Sequence, residues 1–363
     1  TTPPWSGRVP RLTLRDRSRT LLCANLVALR VLPVEPNQMS SFQNILVEVH
    51  GDSIQSGPWR RAGRIATHSA ARLTLVRVLE EFPWYTRLVI PRSGDLLELI
   101  ERDRTEQLQR LAEAILEESP GTVLDVEVLR GHCAVELTRA VLRHGHDLLI
   151  KEAEDEAVGV FGSTDLRLLR YCPCPVWITR RGERDAPYRR IVAAIDPIPD
   201  DKDRNALDEQ ILETALRIGE IEGPDTEVHV IHAWSAPGEL LLRSGPHRVP
   251  QRLIDEYSKQ MEDEIKRTID RFLDPFRGRI APERVHLLNG EARAVLSQFV
   301  SSREVDLVVM GTLGRARLVG LLMGNTAETI LGQLGCSVLA LKPPAFVSPV
   351  RLDDAPHSTS SSR

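Results

Sequence analysis

The residues of this chain best placed for chemistry are the glycines of Gly311-Thr312-Leu313-Gly314, followed after nine intervening residues by Gly324-Asn325-Thr326. Glycine lets a backbone adopt positive φ and come close to a ligand. The first glycine follows the apolar run Asp306–Met310, which reads as a strand, and Thr326–Leu334 reads as a helix stopped by Gly335. A helix start has free N–H groups and the positive end of the dipole, and both suit a phosphate. Asp196 ends an earlier apolar run, Ile191–Ile195. Its carboxylate could accept a ribose or base hydrogen bond, or hold a metal ion. In open parallel sheets the ligand crevice lies at the carboxyl ends of the strands. This is not a Walker A loop, because no Gly-Lys-Ser/Thr follows, and the dinucleotide fingerprint would come after the first strand. A purely structural reading has the glycines forming a tight turn, Thr326 capping a helix and Asp196 opening a turn with Pro197. Spacing alone leaves both readings equally open.

Other reactive residues carry blander readings. Cys172-Pro173-Cys174 has redox or metal-ligand types, but only one residue separates the thiols and no second Cys/His cluster is near in sequence. They read as plain reduced thiols beside a strand. His229 and His232 are three apart on a strand and so face opposite sides, one expected buried and one exposed. His144-Gly145-His146 reads as loop. Arg315 and Arg317 lie inside the glycine loop and could approach a triphosphate or be solvated. Glu262, Asp263 and Glu264 with Lys259, Lys266 and Arg267 form pairs on a solvated helix face. No Ser-His-Asp or Cys-His order stands out, so no catalytic residue and no metal ligand is assigned.

The elements that must position these residues occur twice. The second copy has apolar strand runs at Ile191–Ile195, Glu227–Ala233, Arg284–Leu288, Asp306–Met310 and Ser337–Leu341. Helical spacing separates them over Asn205–Gly219, Pro250–Phe276, Glu291–Val300 and Thr326–Leu334. The first copy has strands at Asn44–Val49, Leu73–Leu79, Leu124–Val128, Asp147–Ile150 and Val176–Thr179. Its helices are expected over Leu96–Leu116, Val135–Leu142 and Asp165–Arg170. Alternating strands and helices predict βαβ units and a parallel sheet. Residues 39–180 and 189–344 are thus two α/β domains, with 181–188 as a linker. Residues 345–363, rich in serine, are expected to be a disordered tail.

A length of 363 residues suits two domains plus an extension. The net charge of −4 argues against a nucleic-acid-binding protein, so no DNA binding is expected. No apolar run approaches the ~18 residues that span a bilayer. Five scattered cysteines, an odd number, fit a reducing compartment better than a disulfide framework, so a cytoplasmic location is expected. Residues 1–38 are Arg- and Pro-rich with little periodicity; they read as a disordered extension, or as sequence upstream of a true start at Met39.

The run Asp306-Leu-Val-Val-Met-Gly-Thr-Leu-Gly-Arg, then Gly-Asn-Thr-Ala-Glu, then Cys-Ser-Val-Leu-Ala-Leu-Lys-Pro, resembles the signature G-x2-G-x9-G-[S/T/N] of the universal stress proteins. With residues 42–180 included, the chain is similar to the tandem, E-type members. That resemblance implies two five-stranded parallel sheets with helices on both faces, an adenine-nucleotide α-hydrolase-like fold. It also implies ATP, with or without Mg2+, in the second domain. Asp196 and Ala233 would face the nucleoside, and Met310, Gly311, Leu313, Gly314, Gly324, Asn325 and Thr326 would line the phosphates. In the first domain Lys151-Glu152 stands where Met-Gly is expected, and His50-Gly51-Asp52 displaces the acid by two positions. No ATP is therefore expected there; Gly162-Ser163-Thr164 reads either as a surviving late half of the loop or, the favoured reading, as a helix cap. The family's last strands pair at a shared edge, which implies an internal pseudo-dimer of Val176–Thr179 with Val338–Leu341; a further homodimer stays open, and protein partners are not readable.

Three functions compete. The first is a stress-response regulator that binds a nucleotide in its second domain, with at most slow hydrolysis. The second is a ligand-free or lipid-binding scaffold. The third is an adenylate-forming enzyme, which would need an acceptor site and pyrophosphate-releasing chemistry that the sequence does not display.

Overall fold

Strands covered on both faces are apolar along their whole length, because neither row of alternating side chains meets water. The computed structural model describes residues 42–50, 58–80, 93–154, 161–183, 185–199, 201–238, 249–312, 330–331 and 333–352. The first half runs β1 (Asn44–Glu48), α1 (Pro58–Ser69), β2 (Arg72–Leu79), α2 (Ser93–Glu118), β3 (Val123–Arg130), α3 (Cys133–His144), β4 (Leu148–Glu152), α4 (Ser163–Tyr171) and β5 (Val176–Thr179). The second runs β6 (Arg190–Ala194), α5 (Lys202–Glu222), β7 (Glu227–Trp234), α6 (Gln251–Leu273), β8 (Val285–Asn289), α7 (Ala292–Ser302), β9 (Leu307–Gly311) and β10 (Ser337–Leu341). Of the helix expected over Thr326–Leu334, Ile330 and Leu331 are helical and buried, Gln333 is already in a turn and Leu334 is buried beyond the helix, and residues 326–329 and 332 lie outside the described residues. So do residues 1–38 and Met39.

Among the described residues ten strands form one sheet, in the order β3-β2-β1-β4-β5-β10-β9-β6-β7-β8. Each half has the same doubly wound order and is parallel throughout. The halves meet through β5 and β10, which pair antiparallel as Val338↔Ile178, Leu339↔Trp177 and Ala340↔Val176. The expected edge-to-edge pairing is therefore present within one chain. Because the seam is antiparallel, the carboxyl ends of the first half's strands lie on the opposite sheet edge from those of the second.

Two apolar layers fill the sheet's faces, and each crosses the seam. One joins Trp59 and Ile65 of α1, Leu108 and Ile115 of α2, Leu207 and Ile211 of α5 and Ile269 of α6 to Trp177 and Leu339 of the central strands. The other joins Leu137 of α3, Leu168 of α4 and Leu296 and Phe299 of α7 to Ile178 and Val338. A fully buried side chain of this kind contributes about 1.5–3 kcal/mol, so both layers bind the halves together.

Three features differ from the sequence reading. Helix α1 was not foreseen: Trp59, Ala62, Ile65 and Ala66 face the core, but three arginines and one glycine interrupt them. One of these, Arg61, is itself buried, and it joins the halves. Its guanidinium pairs with Glu222 of α5 and with Glu183 at 2.9 Å, donates to the Ala186 carbonyl, and lies 3.5 Å over the Tyr188 ring. The chain also stays on the body beyond residue 345. Phe346 bonds back to Pro343, and the Arg139 side chain donates to the Arg351 carbonyl. Finally, His229 and His232 are both buried, at 8% and 6% exposure, because helices cover both faces of β7.

Candidate functional site

In a doubly wound sheet the crevice opens where the chain reverses its direction of winding. In the second half this is between β6 and β9, which are neighbours in register, Ala194 beside Met310. Asp196 follows β6, and Met310 and Gly311 end β9. Ala233 lies near the end of β7, which flanks β6 on its other side. These four expected site residues therefore share one sheet edge. Leu313, Gly314, Gly324, Asn325 and Thr326, with Arg315 and Arg317, lie outside the described residues.

The loop that carries Asp196 is held firmly. The Asp196 N–H donates to the carboxylate of Asp208 on α5 at 3.1 Å, and Asp208 is itself buried. Asn205 clamps Ile198 from both sides, accepting from its N–H and donating to its carbonyl, each at 3.1 Å. The Asp196 side chain is 36% exposed and 3.8 Å from His232 Nδ1. That nitrogen also lies 3.2 Å from the Ile195 carbonyl, so the buried imidazole braces the strand end beneath the acid.

Of the two reasons the motif offers for glycine at 311, positive φ is not met, and the position is tightly packed: a Cβ there would meet Leu207 Cδ2 at 3.1 Å. The glycine lets α5 press against the strand end. Thr312, which follows, is 1% exposed, and its N–H donates to the Leu341 carbonyl at 3.1 Å. Its hydroxyl lies 3.4 Å from Lys342 Nζ, and the ammonium also donates to the Leu169 carbonyl at the end of α4. The sequence reading gave no role to Asp208, Asn205, Thr312 or Lys342. The one available signal was Lys342, a charge directly after an apolar strand.

The first half has the corresponding switch point between β1 and β4, and its chemistry is different. Lys151 and Glu152 stand in the register of Met310 and Gly311. Lys151 is 2% exposed, and its ammonium lies 3.0 Å from Asp165 Oδ1 and donates to the Glu152 carbonyl at 2.8 Å. Burial pulls the Lys151 pKa down, but Asp165 and Glu48 outweigh it and leave it above the ordinary lysine value. At the start of α4 the Gly162 N–H donates to Asp165 Oδ2 at 2.9 Å, and the Thr164 N–H donates to Glu154 Oε2 at 3.2 Å. A Cβ on Gly162 would press into the Glu154 side chain, 2.7 Å from its Cβ. The N–H groups that would meet a phosphate thus already hold the chain's own carboxylates. Glu48, at the end of β1, is also buried and pairs with His50 at 3.7 Å, raising the His50 pKa. Asp52 lies outside the described residues.

Among the described residues no group of three or more His, Cys, Asp or Glu could hold a metal ion, and no helix is long and apolar enough to cross a membrane.

Comparison with known proteins agrees with this architecture. Residues 41–180 and 187–342 each match the Universal stress protein family. Universal stress protein E of Escherichia coli K12 is 26% identical over 326 residues, covering 87% of this chain and 99% of that protein. The Salmonella typhi protein of the same name matches to the same extent. Among solved structures, a functionally unknown protein from Pseudomonas aeruginosa PAO1 superposes with a TM-score of 0.62 at 22% identity, covering 85% of this chain and 95% of that one. A universal stress protein from Archaeoglobus fulgidus gives a TM-score of 0.52 at 15% identity, covering 83% and 98%.

Proposed function

Since this chain belongs to the universal stress protein family, with two such domains in tandem, we propose that it is a cytoplasmic stress-response regulator that binds ATP or a related nucleotide in its second half only. The observation that carries the reading is the contrast between the two switch points. Beside β9 the strand ends in neutral Met310 and Gly311, with the half-exposed Asp196 braced across the crevice. Beside β4 the space holds a buried ion pair. A neutral strand end with a nearby acid fits a nucleotide: Asp196 and Ala233 would take the nucleoside. Met310, Gly311, Leu313, Gly314, Gly324, Asn325 and Thr326 would take the phosphates through backbone N–H groups. Magnesium, if it accompanies the nucleotide, would offset the phosphate charge. We assign no catalytic residue, because the His232 imidazole is buried and turned to the Ile195 carbonyl; any hydrolysis is slow.

Isothermal titration of the full chain with Mg-ATP tests this. One saturable site is expected, lost in Gly314→Trp. Ligand at about 100 times Kd should stabilise the fold by about 2.7 kcal/mol. Absence of both heat and thermal stabilisation would overturn the nucleotide reading and leave a scaffold or lipid-binding role.

A further inference from the structure

We propose that Cys172 and Cys174 form an oxidisable dithiol, a redox-modification site that closes to a disulfide beside Lys342. Cys172 ends α4, its N–H bonded to the Leu168 carbonyl, and Cys174 lies just before β5. Their sulfurs are 3.5 Å apart. Closure to a bond of about 2 Å brings the two sulfurs together by about 1.5 Å. Cys172 is fully buried and Cys174 is 7% exposed, so Cys174 is the side of the pair nearer to solvent.

Lys342 gives the pair its chemistry. It is 7% exposed, held by the Leu169 carbonyl, the Thr312 hydroxyl and the Phe346 ring at 4.9 Å. Among the described residues no carboxylate lies within ion-pair distance of it. A buried ammonium without a counter-charge is costly, and burial lowers Lys342 to about 8 even though the two sulfurs act to raise it. A thiolate is the anion this site offers. Burial alone would raise the Cys172 thiol, but the hydrogen bond with Cys174 and the charge of Lys342 outweigh it and bring it below an ordinary thiol. Burial pushes the other described thiols, Cys133 and Cys336, up to about 12.

With hydrogen peroxide as oxidant the steps balance. The Cys172 thiolate attacks one peroxide oxygen, the O–O bond breaks, and hydroxide leaves to take up a proton as water. The Cys174 thiol then attacks the sulfenic sulfur; the S–S bond forms, the S–O bond breaks, and a second water leaves with the thiol proton. Two thiols and one peroxide become one disulfide and two waters, with two electrons passing from sulfur to oxygen. The seam places this dithiol on the same sheet edge as the β6–β9 crevice, but the proposal does not depend on nucleotide binding.

The reduced full chain is exposed to hydrogen peroxide, alkylated, digested with trypsin and weighed. Residues Tyr171–Arg180 form one tryptic peptide holding both cysteines and no other. That peptide should become lighter by two hydrogens and resist alkylation before Cys133 or Cys336 changes. Cys174→Ser should instead leave a sulfenic acid on Cys172 that dimedone captures. Lys342→Gln should slow closure about tenfold, as expected from a smaller thiolate fraction, and move its pH profile upward; Lys342→Arg should restore both. The charged and titratable groups acting on the pair are Lys342 and Asp147. A peptide that stays reduced while the chain is folded, or that oxidises only in denaturant, would overturn the site. A wild-type rate and pH profile in Lys342→Gln would overturn the role of Lys342.

Discussion

The two halves of this chain share a strand order and differ at the edge where that order makes a crevice. In the second half β9 ends in Met310 and Gly311, and Leu207 packs into the space a Cβ would fill. In the first, β4 ends in Lys151 and Glu152, with Asp165 0% exposed beneath the ammonium. The helix start that follows is satisfied by Asp165 and Glu154. The comparison shows one strand order carrying two different chemistries at the same register positions. Buried backbone N–H groups need partners, and in the first half two carboxylates of the chain itself supply them.

The largest break in the comparison should come from Asp165→Ala. It leaves the Lys151 ammonium buried without its partner, a change that costs about 3–5 kcal/mol. Urea denaturation should show this loss, and Lys151→Met in the same chain should recover much of it. Equal destabilisation of the single and double variants would mean that the pair does not set the local energy.

A smaller effect separates the halves at the opposite edge. His146 is buried, its Nδ1 3.0 Å from Asn44 Oδ1, and burial, helped by the nearby His144, lowers its pKa to about 4. Its counterpart by register is the buried Val305. Because the unfolded imidazole titrates higher, near 6.5, the stability contributed by the neutral ring is present above that pH. It is lost as the pH falls toward 4. Discounted for partial solvent screening, this is about 2 kcal/mol. Denaturation at pH 7 and pH 4.5 should show that His146→Val flattens this dependence relative to the parent; an unchanged slope would remove His146 as its cause.

The smallest effects come from the two glycines. Gly162→Ala forces the Glu154 side chain, including its Cβ, to shift, at about 1–2 kcal/mol, and Glu154→Ala in addition should relieve it. Gly311→Ala meets only the movable end of Leu207, so its cost should stay below about 1 kcal/mol. Thermal denaturation of the three variants would sharpen the contrast, and a larger loss at Gly311 would reverse it.

Much of the architecture was legible because parallel strands buried on both faces leave unbroken apolar runs, such as Leu148–Ile150 and Leu307–Met310. The seam followed from the family resemblance, which placed Val176–Thr179 against Val338–Leu341. Helix α1 was not legible, because Arg60, Arg61, Gly63 and Arg64 dilute its apolar face and the burial of Arg61 depends on Glu222, distant in sequence. Asp196, Ala233, Met310 and Gly311 could be placed from strand ends alone. Their supports could not: Asp208 acts through a backbone N–H, and Thr312 and Lys342 meet only after the sheet has formed. At Gly311 the backbone is not left-handed, so of the two reasons the motif offers for a glycine the positive φ does not apply, and what the position shows is close packing against Leu207 of α5.

The antiparallel seam also bears on how such a chain can be divided. Cutting it anywhere in residues 181–188 and separating the pieces would uncover Trp177 on one and Leu339 on the other, both fully buried in the whole. It would also strip the ladder from β5 and β10 and leave the Arg61 guanidinium without Glu222. Each piece would then present an open, apolar strand edge, which is a template for pairing with another chain. Covalent linkage holds the correct partner at high effective concentration, so the tandem chain carries its own pairing interface wherever it is diluted.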